Sequence, residues 1–350
     1  MIIRELHYSG APKVFLWLAK SLSNRGHAVI IYTFGRESNI EIPKNVEYIA
    51  EDLSGYNTLL KILHIRRKIR SINANVSISF LLDANVFNIL SCINFRTKSV
   101  VCERNDPFKP GYYKLKILKP IFSLADSAVF QLPRVANYYD NIKRNTTIIP
   151  NPVFNIDKGG VNEFSKRDNT IVALGRLDNF QKRFDVLLHA FKIFVKDHPE
   201  YRLIIYGDGP DESFLRKMAD DLGMMGMVRF AGKTETPLAS IKTAKIFVLS
   251  SDFEGIPNSL IEAMALGLPC VSTDCSPGGA SFLIENGING LIVERGNFQK
   301  LASAISTLVS DPHLADRIGN NARDVCKKFS EESVIEMWDA FLNNINAYNK

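Results

Sequence analysis

Polar and apolar positions alternate on two different periods along this chain. From residue 1 to about 151, short runs rich in β-branched residues recur: HAVIIYTF (27–34), NVEYIA (45–50), VSISFLL (76–82), KSVVCE (98–103), SAVFQL (127–132) and TTIIPN (146–151). Between them lie stretches of helical period. In APKVFLWLAKSLSNRG, apolar residues fall at 14, 15, 18, 19 and 22, and Gly26 stands where a C-terminal cap belongs. A polar, glycine-containing stretch, NPVFNIDKGGVNEFSKRDN (151–169), then breaks the pattern and predicts a linker. The alternation resumes with TIVALG (170–175), YRLIIYG (201–207), MVRFAG (227–232), AKIFVLSS (244–251), PCVSTD (269–274) and GLIVE (290–294), each followed by a helical segment.

Strand, helix and strand repeated in this way imply right-handed crossovers and a parallel sheet covered on both faces. Two such series predict an α/β chain of two doubly wound, Rossmann-like domains, at about 1–153 and 165–330, facing each other across a cleft. A length of 350 residues suits two domains of ordinary size. Ligands of such sheets bind beyond the carboxyl ends of the strands, so the residues just after each apolar run are the candidates for chemistry.

Composition narrows the class. Apolar residues make up 46% of the chain, as in ordinary soluble globular proteins. The start, MIIRELHYSG, lacks the pattern of a secretion signal, and no stretch approaches eighteen uninterrupted apolar residues. Five cysteines (Cys92, Cys102, Cys270, Cys275 and Cys326) form no C-x-x-C pair and lie in or beside apolar runs, so they read as buried free thiols of a reducing cytosol. The net charge of +6 hides a division: residues 1–150 carry 21 Lys+Arg against 11 Asp+Glu, and the rest 22 against 26. A basic first domain suggests a polyanion or an anionic membrane as partner. Its densest piece is LLKILHIRRKIRS (59–71), which reads equally as a solvated helix face and as an interfacial helix.

Several strand ends carry chemistry. After TIVALG, Arg176 and Lys182 lie six positions apart and can clamp a diphosphate, although two solvated cations explain the spacing as well. After YRLIIYG, Gly207 and Gly209 form G-x-G, but Glu212 occupies the third position of a dinucleotide fingerprint, so a dehydrogenase loses its main support. A turn feeding the helix ESFLRKMADDLG is the plainer reading. After AKIFVLSS comes EGIPNSLIEAMALGLP (254–269). Ser259 and Glu262 match an S-x-x-E capping box, which gives Glu262 a structural explanation but leaves Glu254 and its glycine-flanked turn without one. Both carboxylates can accept hydrogen bonds from sugar hydroxyls. In the first domain, Gly10 of HYSGAPK (7–13) can let a backbone approach an anion at a helix start, or simply make a turn. Glu103 and Arg104 of ERNDP (103–107) sit at another strand end, as a possible first-domain site. No HExxH, Cys/His cluster, P-loop or G-x-S-x-G is present, so metal and serine-nucleophile chemistry lose support.

The array GRL-x4-K, YGDGP, F-x-G, EGIPNSLIEAMALGLPCVSTDC and NGLIVE, in that order, resembles the second lobe of the retaining GT-B glycosyltransferases of family four, the glycosyl transferases group 1. It covers about residues 170–310. The first lobe resembles the family more loosely, through SGAPKVFLWLAKSLSNRGHAV (9–29) and IIPNPV (148–153). The resemblance implies that Arg176 and Lys182 hold the diphosphate of a nucleotide-sugar donor and that Glu254 faces the donor sugar. It also implies that Glu262 bonds the ribose, that Gly255, Ile256, Pro257, Asn258 and Ser259 offer backbone amides, and that Gly10 closes on the phosphate. Gly207 and Gly209 belong to the same donor side. No metal and no cofactor are implied, and transfer retains anomeric configuration by front-face attack. A histidine that relatives place after a first-lobe strand has no counterpart here, where ERNDP stands instead. MII is short for the strand that should precede the glycine loop. The last helical stretch, about 333–350, is expected to pack back on the first lobe, as in relatives.

ERNDP and TDCSPGG further resemble bacterial enzymes that extend capsule or O-antigen units on a polyprenyl-diphosphate carrier. The implied protein is a peripheral enzyme on the cytoplasmic face of the membrane, with a nucleotide-sugar donor, a lipid-linked glycan acceptor and no nucleic-acid partner. Two other classes stay open on the sequence: a sugar-nucleotide epimerase of the same architecture, and a nucleotide-sugar-binding protein without turnover.

Overall fold

The computed structural model describes residues 1–7, 10–36, 40–111, 113–142, 145–154 and 163–347. Tyr8 and Ser9 of the glycine loop, 155–162 of the expected linker and 348–350 of the last helical stretch lie outside the described residues. The chain divides into two compact units, Met1–Pro152 with Glu331–Lys350, and Val153–Ser330.

In the first unit, strands β1 (Ile2–Ile3), β2 (Ile30–Thr33), β3 (Glu47–Ala50), β4 (Val76–Phe80), β5 (Lys98–Glu103), β6 (Ser127–Phe130) and β7 (Thr146–Ile148) form one sheet in the order β3-β2-β1-β4-β5-β6-β7. Every pairing is parallel. In the second, β8 (Asp168–Leu174), β9 (Arg202–Tyr206), β10 (Val228–Gly232), β11 (Ala244–Leu249), β12 (Cys270–Thr273) and β13 (Leu291–Val293) form another parallel sheet, ordered β10-β9-β8-β11-β12-β13. The two doubly wound, Rossmann-like sheets read from the sequence are therefore present. The apolar runs became strands because a parallel sheet covered on both faces favours near-continuous apolar runs; small polar residues are admitted where they are hydrogen-bonded, as Ser79 of β4 is to Asn85 Oδ1 at 2.9 Å. MII forms a minimal strand whose Ile2 registers with Tyr32 on one side and Ser79 on the other.

In both sheets the chain winds outward from the first strand and then returns to its other side. The order reverses between β1 and β4 and between β8 and β11. At such a switch point the crossovers diverge and leave a crevice outside the carboxyl ends, which is where the fold offers a ligand room.

The helix Gly10–Asn24 buries Val14, Phe15, Leu18, Ala19 and Leu22, and Gly26 follows at φ 88°. The helix Glu331–Ala347 belongs to the same unit, where Arg25 binds Glu332 and Asp339, each at 2.5 Å. In the second unit, Leu187, Phe191 and Phe194 of the helix Phe184–Phe194 are buried in one core with Ile171, Leu203, Ile205, Ile246 and Val248 of the sheet. Cys92, Cys102, Cys270 and Cys275 are buried free thiols. Among the described residues no helix is long and apolar enough to cross a membrane.

Candidate functional site

The switch point of the second unit carries an ion pair. β8 ends at Leu174 and leads through Gly175 and Arg176 to the short helix Asn179–Lys182; β11 ends at Leu249 and leads through Ser250 and Ser251 to Glu254. Lys182 Nζ donates to Glu254 Oε1 at 2.5 Å, joining loops 72 residues apart in sequence. Ser251 Oγ donates to the same oxygen at 2.9 Å, and Gln181 Nε2 reaches Oε2 at 3.3 Å and the Phe253 carbonyl at 3.1 Å. Only 15% of the Lys182 side chain and 11% of the Glu254 side chain are exposed. The pair of solvated cations that spacing alone allowed is thus replaced by one exposed cation, Arg176, and one half-buried in a network.

A second ring of contacts fixes these loops. Arg183, in the left-handed region at φ 50°, bridges Asp185 at 3.0 Å and Asp252 at 2.8 Å, and Ser250 Oγ bonds the Lys182 carbonyl at 2.8 Å. Glu254 N–H donates to Ser276 O at 2.7 Å and Ser276 N–H to Asp252 O at 2.9 Å, tying the β12 loop in. Gln181, Arg183, Ser251, Asp252 and Ser276 escaped the sequence reading. Gln181 and Arg183 flank Lys182, Ser251 and Ser276 lie within AKIFVLSS and TDCSPGG, and Asp252 follows the first of these runs, but partners so distant in sequence leave no local signal.

Gly207 and Gly209 have a backbone role. A Cβ on Gly207, at φ 137°, would lie 1.9 Å from the Gly175 carbonyl oxygen, and one on Gly209 would lie 2.5 Å from that of Leu177. Leu177 N–H meanwhile donates to Asp208 O at 2.8 Å. The G-x-G turn therefore holds the Arg176 loop by direct backbone contact, and the helix Glu212–Asp221 follows it as read from the sequence. Gly279 does the same for the other loop: its Cβ would fall 1.7 Å from the Gly255 carbonyl oxygen.

One expectation needs correction. The capping box from Ser259 to Glu262 does not form, because Pro257, extended at φ −74°, takes the N-cap position and the helix Asn258–Ala265 begins one residue before Ser259. Ser259 is buried inside the first turn and Glu262 is half-buried in the second. The turn Gly255–Ser259 delivers a helix start, whose first N–H groups have no acceptor within the helix and favour an anion.

In the first unit, Gly10 opens its helix and is exposed. Glu103 and Arg104 sit at the end of β5. Glu103 Oε1 accepts the N–H groups of Arg104 and Asn105, both at 3.0 Å. Burial pushes its carboxyl up to about 7 against those bonds and the neighbouring Arg104 charge. Arg104 Nη1 donates to Asn151 Oδ1 at 3.1 Å, so the Arg104-carboxylate pair that a structural loop would use is replaced by an amide contact. In the helix Thr58–Ile72, Arg66 bonds the Ser91 and Ile93 carbonyls and Lys68 pairs with Glu51, which leaves Arg67 and Arg70 exposed beside exposed Leu59, Leu60 and Leu63.

The two Rossmann-like units are those of the GT-B fold. The crystal structure of Anabaena Alr3699/HepE in complex with UDP shares this fold at a TM-score of 0.82 and 19% identity, covering 98% of this chain and 99% of that one. Residues 157–325 match the family described as glycosyl transferases group 1, and the second unit belongs to it, as its motifs had indicated. An uncharacterized glycosyltransferase of Haemophilus influenzae is 25% identical over 343 residues, which span 95% of this chain and 96% of that protein. The GalNAc-alpha-(1->4)-GalNAc-alpha-(1->3)-diNAcBac-PP-undecaprenol alpha-1,4-N-acetyl-D-galactosaminyltransferase of Campylobacter jejuni is 26% identical over 349 residues, 96% of each protein.

Glu103 yields a pH-dependent prediction. A carboxyl whose value is raised by folding contributes its stability in the protonated form, fully present at low pH and lost as pH rises through about 7. Glu103→Gln keeps an acceptor oxygen and never ionises. Its melting temperature relative to the parent should therefore climb between pH 5 and pH 8 in thermal unfolding; a difference independent of pH would contradict the assignment.

Proposed function

We propose that the protein transfers a sugar, with retention of configuration, from a UDP-sugar held by the second unit to a lipid-linked or glycan acceptor approached through the basic first unit, in the synthesis of a surface polysaccharide. The observation that carries this reading is the half-buried Lys182–Glu254 pair at the switch point of a group 1 glycosyltransferase unit. The UDP of the HepE structure and the undecaprenol-linked substrate in the Campylobacter enzyme's name support the donor and the acceptor class.

In this reaction the bond from the anomeric carbon to the β-phosphate oxygen breaks as the acceptor hydroxyl oxygen attacks the same face. The hydroxyl proton passes to the departing phosphate. Charge grows on the diphosphate, and Arg176, Lys182 and the helix start at Asn258 are the groups suited to meet it without a metal. Glu254 accepts hydrogen bonds from the donor sugar, Glu262 from the ribose, and Gly10 lets the first unit's backbone close on phosphate. A diphosphate arriving beside Lys182 competes with Glu254 for its ammonium, which frees carboxylate oxygens for sugar hydroxyls. The enzyme works as a peripheral protein on the cytoplasmic face of the membrane, where Leu59, Leu60 and Leu63 insert and each nearby Lys or Arg adds about 1 kcal/mol on anionic lipid.

The two carboxylates separate the roles. Glu262→Gln should weaken UDP binding about 10-fold in calorimetry, the loss of one charge-assisted hydrogen bond. Glu254→Gln should keep UDP affinity within about 3-fold and lower kcat by about 100-fold or more. Equal, small effects on both parameters in both variants would leave the carboxylates structural. For the membrane, replacing Leu59, Leu60 and Leu63 by serine together with Arg67→Gln and Arg70→Gln should abolish co-sedimentation with phosphatidylglycerol vesicles and preserve hydrolysis of soluble donor. Undiminished sedimentation would remove the membrane from the account.

A further inference from the structure

A set of unpartnered polar atoms lies in the first unit, at the carboxyl ends of β4, β5 and β6. The Arg104 guanidinium sits over the Phe80 ring, 4.5 Å from its centroid. Its Nη1 donates to Asn151 Oδ1, an oxygen that also takes Gln131 Nε2 at 2.6 Å. Its Nε and Nη2 are shielded from solvent and have no hydrogen-bond partner among the described residues. Apart from Asn151, the guanidinium has one side-chain hydrogen bond among the described residues, to the Cys102 sulfur, which is only a weak acceptor. Nε and Nη2 carry the parallel N–H pair with which a guanidinium grips two oxygens of one group. Glu103 Oε2, one residue away, is likewise buried and unpartnered, and the two side chains do not neutralise each other by contact.

A buried donor or acceptor left unsatisfied is costly, and a charged one more so. Three such atoms in two adjacent residues are a large concentration for a native loop, where buried polar groups are nearly all paired. The neighbouring backbone is strained as well. Leu81, whose N–H donates to Cys102 O at 3.2 Å, holds φ 74° and ψ 155°, a strained region otherwise left to glycine. Strain and unmet charge thus coincide outside strand ends, where doubly wound sheets take ligands.

We propose that the Nε–Nη2 edge of Arg104 is an oxyanion seat of the first unit, taking two oxygens of a phosphoryl or carboxylate group on the acceptor. The word acceptor rests on the transferase reading; the seat itself does not. A phosphate within a carrier-linked or phosphodiester acceptor and the carboxylate of an acidic sugar offer the same two-oxygen edge, and separate probes tell them apart.

The test uses the full chain. Crystals soaked in selenate should show an anomalous peak within hydrogen-bond distance of Arg104 Nε and Nη2 in the parent protein, which needs no variant to fold. In solution, inorganic phosphate and glucuronate are titrated by calorimetry into protein with and without saturating UDP. One of them should bind, and Arg104→Lys, which keeps the charge and loses the fork, should weaken it about 10-fold while UDP affinity stays within about 2-fold. Phosphate binding alone identifies a phosphoryl acceptor group, and glucuronate binding alone an acidic sugar. No peak at that edge, or anion binding unchanged in Arg104→Lys, overturns the seat. Failure of UDP to bind the parent protein would instead overturn the transferase reading and leave the UDP-free titrations to decide the seat.

Discussion

Placing Lys182 against Glu254 with little water around them is the constraint on which the chemistry proposed for the second unit rests. Each ion leaving water for a protein interior loses several kcal/mol of solvation, and the mutual attraction only about offsets that. A well-packed apolar pair would hold the two loops at least as firmly. The pair therefore makes little sense as a stabilising device and good sense as two charges kept ready for a ligand that brings both an anion and hydroxyls. The contacts from Ser251 and Gln181 set the carboxylate's direction, and the Arg183 bridge to Asp185 and Asp252 keeps the supporting loop from relaxing around it.

The pair can exist because backbones approach more closely there than side chains allow. Gly207 against the Gly175 carbonyl and Gly279 against the Gly255 carbonyl bring the β9 and β12 loops onto the β8 and β11 loops. The sheet order does the rest, since β8 and β11 are neighbours whose crossovers leave in opposite directions. Sequence places the two charged residues 72 positions apart; topology makes them adjacent.

The strands were legible in the chain because their runs are near-continuously apolar, as a parallel sheet covered on both faces favours. Glu254, Lys182 and Arg176 were legible as residues after strand ends, but not the difference between them: nothing local tells that Lys182 is half-buried and paired and Arg176 exposed. The capping box was misread because S-x-x-E is a local pattern, and Pro257 with its fixed backbone had already taken the cap. Arg66 and Lys68 looked like members of a basic surface, yet they serve carbonyls and a carboxylate brought near by the fold. ERNDP marked a place without revealing what was unusual about it, because an unpaired guanidinium edge is visible only once every neighbour is known.

The most direct test of the central claim is a crystal structure of the protein with UDP. The account predicts the diphosphate in contact with Arg176 and Lys182 at the start of the helix Asn258–Ala265, with the ribose within hydrogen-bond reach of Glu262. Nucleotide density elsewhere, with the Lys182–Glu254 contact undisturbed and no phosphate beside it, would contradict it.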